Sequence, residues 1–176
     1  EVVEAHLIEA QLKNKKWGVS PEIYLEVLTK KAADIDGRMK IGAIYGGGSE
    51  EEVETLSNLG RKLGTLLVIR AEFVDIFERD ELSNRVKNEC LPLPILYAIR
   101  NKNVKTKIKK ILLKDKLVKE DCEEIIKILD KSKDVLTLKN YLLQLNIQAK
   151  QLVGKLNDNQ ARKTIQELVT SLLEDL

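Results

Sequence analysis

Apolar residues recur at helical spacing along nearly the whole chain. Val2, Ala5, Ile8 and Leu12 begin the series and run into a lysine-rich end at Lys13, Lys15 and Lys16. This predicts a helix over residues 1 to 16, which Trp17-Gly18-Val19 then breaks. Ser20-Pro21-Glu22 has the make-up of a helix start: a hydroxyl cap, a proline at the first helical position and an acid in the first turn. The second helix is expected to run to about Tyr45, where Gly46-Gly47-Gly48 stops it, since glycine readily takes the positive φ of a C-terminal cap. Ser49 and Glu52 form a capping box that opens a third helix. Residues 63 to 69 of that helix are apolar nearly all round, which marks it as a central helix extending over residues 50 to 79. Gly60 and Gly64, one turn apart, allow another backbone to come close.

Past Asp80 the chain turns polar until Leu91-Pro92-Leu93-Pro94, whose prolines set an extended entry into a helix over residues 95 to 100. Residues 102 to 176 read as further amphipathic helices, with turns near 114 to 119, 131 to 134 and 154 to 159. Sustained alternation is missing throughout, so the predicted class is all-α, in a single helical domain over residues 1 to 176.

Composition sharpens this reading. With 176 residues, 43% of them hydrophobic, the chain can bury a substantial core, and with only 4% aromatics that core is aliphatic. The 30 basic and 28 acidic residues leave a formal charge of +2, which gives no field for nucleic acid. No apolar run approaches the roughly 20 residues of a membrane span. Cys90 and Cys122 are too few for a disulfide framework, which fits a reducing, cytoplasmic setting. His6 is the sole histidine, leaving almost no material for zinc chemistry or Ser/His catalysis.

Four stretches taken together carry a resemblance. Trp17 to Lys30 looks like the loop and helix that lead to the Lys-Thr pair of the trans-isoprenyl (polyprenyl) diphosphate synthases; Lys30 matches the lysine and Lys31 stands where the threonine would be. Gly42-Ala43-Ile44-Tyr45-Gly46-Gly47-Gly48-Ser49-Glu50-Glu51-Glu52 is similar to that family's glycine turn and acidic helix start. Gly60-Arg61-Lys62-Leu63-Gly64 matches the segment before its second Asp-rich motif, and Leu93-Pro94-Ile95-Leu96-Tyr97-Ala98 resembles the opening of its next helix. The resemblance covers the C-terminal half of the family. It implies an incomplete antiparallel bundle of the isoprenoid-synthase type, because the helix with the first Asp-rich motif would precede Glu1.

The implied activity is prenyl transfer, with ionisation of an allylic diphosphate, attack by isopentenyl diphosphate and loss of a proton. The implied ligands are isoprenyl diphosphates and the implied cofactor is Mg²⁺. Carboxylates at i, i+1 and i+4 near one helix face can share hard, oxygen-loving ions that bridge to a diphosphate. In this chain the motif is Ala71-Glu72-Phe73-Val74-Asp75, so the first carboxylate is gone while Glu72 and Asp75 stay as candidate metal ligands. Lys30 is the candidate diphosphate-binding residue. A lysine that the family carries just before the proline stretch is Cys90 here, and the chain has no Asp-Asp pair. The eroded motif supports an alternative, a non-catalytic, regulatory member that pairs through its helices with an active synthase, as a homo- or hetero-oligomer.

Each candidate also has a plainer reading. Glu72 and Asp75 can form an ordinary polar helix face, with Asp75 pairing to Arg79 one turn on. Lys30 can be a solvated lysine paired with Asp34. The basic run over residues 102 to 119 reads as a solvated face, because Asp115, Glu120, Asp121, Glu123 and Glu124 interleave with it or follow it.

Overall fold

The computed structural model describes residues 1 to 174, and these fold into helices joined by short turns. In chain order the helices are α1 (Val2–Leu12), α2 (Pro21–Lys31), α3 (Ala33–Tyr45), α4 (Glu50–Phe77), α5 (Arg79–Asn88), α6 (Leu93–Ala98), α7 (Lys102–Leu112), α8 (Lys119–Asp130), α9 (Lys133–Gly154) and α10 (Gln160–Ser171), with a 3₁₀ turn at Lys16–Gly18 between α1 and α2. Among the described residues there is no strand, as expected from the periodicity.

The caps form as the sequence dictates. The N–H of Gly48 donates to the Ala43 carbonyl at 2.9 Å and that of Gly47 to the Ile44 carbonyl at 3.1 Å, a Schellman closure in which Gly47 takes φ +73°. One residue later the Ser49 N–H donates to Glu52 Oε2 at 2.8 Å while the Glu52 N–H donates to Ser49 Oγ at 3.3 Å. The reciprocal box starts α4 by satisfying N–H groups that have no partner within the helix.

Among the described residues, 1 to 5, 28 to 70 and 141 to 174 make one compact unit, and residues 6 to 27 and 71 to 140 make a second. In the first unit Leu59, Leu63, Leu66 and Ile69 of α4 are buried, as are Leu142, Leu145 and Ala149 of α9. The glycine pair of α4 receives a neighbouring backbone: a Cβ at Gly60 would lie 2.8 Å from Asp36 Cα, and one at Gly64 would lie 2.9 Å from the Cα, Cβ and carbonyl oxygen of Ala32. Polar contacts flank the approach. Ser57 Oγ donates to Asp36 Oδ1 at 2.5 Å and Arg61 Nε donates to Asp36 Oδ2 at 3.0 Å.

This packing accounts for a departure from the sequence expectation. The helix expected to continue from Pro21 to Tyr45 breaks at Ala32, whose N–H reaches back only to the Thr29 carbonyl at 3.2 Å. Ala32 is fully buried, and its position against Gly64 requires the turn that local propensity does not. A second departure is α5, where the sequence reading saw only a polar stretch. Leu82 and Arg85 are its buried residues, so a charged side chain occupies a position where periodicity looks for an apolar one.

In the second unit Phe73 and Ile76 of α4 are buried with Leu82 of α5 and all of α6. Ile108 of α7, Ile125 of α8 and Leu138 of α9 are buried in the same unit.

Candidate functional site

The second unit is organised around one buried cation. Arg85 projects from α5 and all three of its guanidinium nitrogens are engaged. Nε donates to the Cys90 carbonyl at 3.0 Å and Nη1 to Asp75 Oδ2 at 2.8 Å; Nη2 reaches Glu72 Oε2 at 2.8 Å, Glu72 Oε1 at 3.0 Å and the Tyr24 hydroxyl at 2.9 Å. The side chains of Arg85 and Glu72 are 8% and 6% exposed, so water screens their pairing little. Asp75 is more open, at 21%.

Glu72 is the second hub. Besides Arg85, its Oε1 lies 3.2 Å from the Tyr24 hydroxyl and its Oε2 accepts from the Leu93 N–H at 2.9 Å. Leu93 is the first residue of α6, so the carboxylate satisfies a donor that the short helix leaves open. The Tyr24 hydroxyl also lies 3.2 Å from Glu9 Oε1, and Cys90 Sγ sits 3.8 Å from the Glu9 carbonyl. Side chains or backbone from α1, α2, α4, α5 and α6 thus meet within one hydrogen-bonded cluster.

The electrostatics follow from burial. Loss of water pushes the Glu72 carboxyl above the usual carboxylate range, against the opposing pull of Arg85 and the Leu93 N–H. Asp75 is shifted upward for the same first reason, again with Arg85 opposing. Burial works against the Arg85 charge too, but Glu72, Tyr24 and Asp75 together hold it above its ordinary value and it stays cationic. The Tyr24 phenol is held protonated by burial and by the neighbouring Glu72 charge.

The structure therefore brings Glu72 and Asp75 together, but around Arg85. Arg79, the partner expected for Asp75 on sequence spacing, pairs with Asp80 instead, with Nη2 2.8 Å from the carboxylate. A magnesium ion needs several open oxygen ligands and tolerates no cation in its place. In this arrangement both Glu72 oxygens already accept hydrogen bonds, and a guanidinium lies between them and Asp75. The donor set does not fit the ion. Among the described residues no group of three or more His, Cys, Asp and Glu is placed to hold a metal.

Lys30 lies in the other unit, on the last turn of α2. Its Nζ is 2.6 Å from Glu4 Oε1, and its side chain is 23% exposed. Asp34, the partner considered for it on spacing, takes Arg38 Nε at 3.0 Å instead. Cys90, standing at the family's lysine position, is buried. Arg85 is the residue that sequence reasoning missed. Its only signal was position, three residues after Leu82 on what proves to be the inward face of α5.

Comparison with known proteins agrees with this fold. No family model matches the chain. The chain is 28% identical over 178 residues to a nonaprenyl diphosphate synthase from Mycobacterium tuberculosis, an alignment that takes in 94% of the chain and 52% of that protein. Its homologues and structure neighbours are trans-isoprenyl diphosphate synthases. Its fold matches the crystal structure of a geranylgeranyl pyrophosphate synthetase from Pyrococcus horikoshii with a TM-score of 0.79 at 24% identity, over 99% of this chain and 55% of that one. A geranylgeranyl pyrophosphate synthase from Corynebacterium glutamicum, crystallised with calcium and isoprenyl diphosphate, matches with a TM-score of 0.68 at 22% identity over 86% of this chain and 49% of that one. The chain thus spans about half the length of the curated relatives it matches. No helix among the described residues is long and apolar enough to cross a membrane.

Proposed function

We propose that the chain forms the C-terminal helical half of a cytoplasmic isoprenyl diphosphate synthase homologue, and that the parent protein works in prenyl transfer between an allylic diphosphate and isopentenyl diphosphate. The observation that carries this reading is the alignment across 94% of the chain with a nonaprenyl diphosphate synthase. Lys30 remains the proposed diphosphate contact. An ammonium is a mobile point charge, and its partner Glu4 is 55% exposed, so a phosphate oxygen can compete for it.

A second reading is favoured by the state of Glu72 and Asp75: a non-catalytic member that pairs with an active synthase. Their carboxylates answer an internal cation and are not free to help a diphosphate leave, and losing even one charge stabiliser commonly costs about 10²–10³ in rate. Exposed apolar side chains on α3 support pairing through helices: Ile41 at 57%, Ile44 at 56% and Tyr45 at 90% exposure.

A radiolabelled condensation assay, joined to calorimetric titration with isopentenyl diphosphate, tests both readings. The chain alone is expected to give no condensation product, and turnover by it would overturn the second reading. Added to an active long-chain isoprenyl diphosphate synthase, it is expected to change the product distribution. No effect on that enzyme and no heat with any isoprenyl diphosphate would overturn both.

A further inference from the structure

We infer that Arg85 is the resident cation of the Glu72 and Asp75 pair, so that these carboxylates form a metal-independent lock within the second unit. This stands apart from the prenyl-transfer readings, because it concerns what the two acids hold and needs no diphosphate.

The geometry carries it. The guanidinium divides its donors between both acids, with Nη1 on Asp75 and Nη2 on Glu72, each at 2.8 Å. Nε is committed to the Cys90 carbonyl, and Nη2 reaches Tyr24 as well. Glu89 Oε2 adds a looser contact 3.5 Å from Nε. A planar fork suits such divided recognition in a way that a lysine ammonium does not. Arg85 is almost inaccessible, so neither a hydrated ion nor a phosphate reaches it without opening the cluster. The ion pair of Glu72 and Arg85 also spans a junction, since Glu72 fixes the start of α6 through Leu93 and Arg85 fixes the end of α5 through Cys90. The lock therefore fixes the path of residues 85 to 93, the link between α5 and α6.

Thermal unfolding of the full chain, followed by circular dichroism in Mg²⁺ and in EDTA, tests this directly. The wild-type midpoint is expected to be the same in both. Arg85→Lys keeps the charge but not the fork, and is expected to lower the midpoint equally with and without the ion. Arg85→Met leaves two acids without their cation, and a fall of roughly 10 °C is expected. Adding Glu72→Gln to Arg85→Met is expected to recover part of that fall by removing the buried charge, which loss of packing alone would not permit. Should Arg85→Met fail to fold, Arg85→Lys and the double variant still decide the matter. A wild-type midpoint that Mg²⁺ raises, with the gain lost in Asp75→Asn, would overturn the inference. So would an Arg85→Lys variant as stable as wild type, or a double variant no better than Arg85→Met alone.

Discussion

Replacing Gly64 by alanine places a methyl group where the structure already holds a backbone. The new Cβ would sit 2.9 Å from three atoms of Ala32, its Cα, Cβ and carbonyl oxygen. Carbon atoms pack comfortably at about 3.5–4.0 Å, so the intrusion is more than half an ångström. None of those three atoms belongs to a flexible side chain, and relief requires the turn between α2 and α3 to move. Overpacking of this kind costs about 1–3 kcal/mol, and the rigid neighbour argues for the upper end. Alanine returns about 1 kcal/mol as a better helix former, leaving a net loss of about 2 kcal/mol. In a chain of this length that lowers the unfolding midpoint by about 4–8 °C. Gly37, in the middle of α3, is the control, because a Cβ there meets nothing within 4 Å. Gly37→Ala is expected to raise the midpoint by about 2–4 °C, through propensity alone. Thermal melts of the two variants beside wild type decide the matter. A Gly64→Ala protein as stable as wild type, or two variants that shift the same way, would refute the close approach.

Further expectations concern pairs outside the lock. Lys114 and the Val118 N–H hold the Asp121 carboxyl below its ordinary 3.8, so its contribution to stability is full above that value and fades as pH falls through the lower folded-state value. Asp121→Asn should flatten the acid limb of the stability profile, and an unchanged limb in acid titration of the melts would count against the pairing. Asn146 on α9, 6% exposed, donates to the Val169 carbonyl at 2.6 Å, one of the last carbonyls of α10 and without a partner inside its helix. Asn146→Ala should cost about 1–3 kcal/mol in urea unfolding, and a loss below a few tenths would mean that water replaces the amide.

What could be read from the chain was whatever its local chemistry determines. The serine box at Ser49 and the glycine stop after Tyr45 depend on residues a few positions apart and form where the sequence puts them, whereas α6 begins at Leu93, ahead of the start at residue 95 that the prolines suggested. Gly60 and Gly64 announced a close approach, yet not by what; only the fold supplies Ala32 and Asp36, and with them the break between α2 and α3. The site was legible to the same degree. The positions of Glu72 and Asp75 followed from resemblance, whereas their partner sits on a segment so polar that periodicity gave it no inward face. Arg79 lay at the right spacing for Asp75 and Arg85 did not, but α4 ends at Phe77, and the chain beyond it folds so that the more distant arginine arrives.

The arginine lock also constrains how this chain could change over generations. Ala71 is exposed while Glu72 is buried, so a new aspartate at 71 would face solvent and leave the older acid committed to Arg85. Losing Arg85 first strands the buried Glu72 and leaves Asp75 without its cation, and shortening Glu72 to aspartate first withdraws the carboxylate from Leu93 and Tyr24. Each single step toward an open acidic motif is thus either idle or harmful. Regaining one calls for coordinated replacements at positions 71, 72 and 85, a path that selection acting on one substitution at a time will rarely find, and the internal cation becomes easier to keep than to exchange.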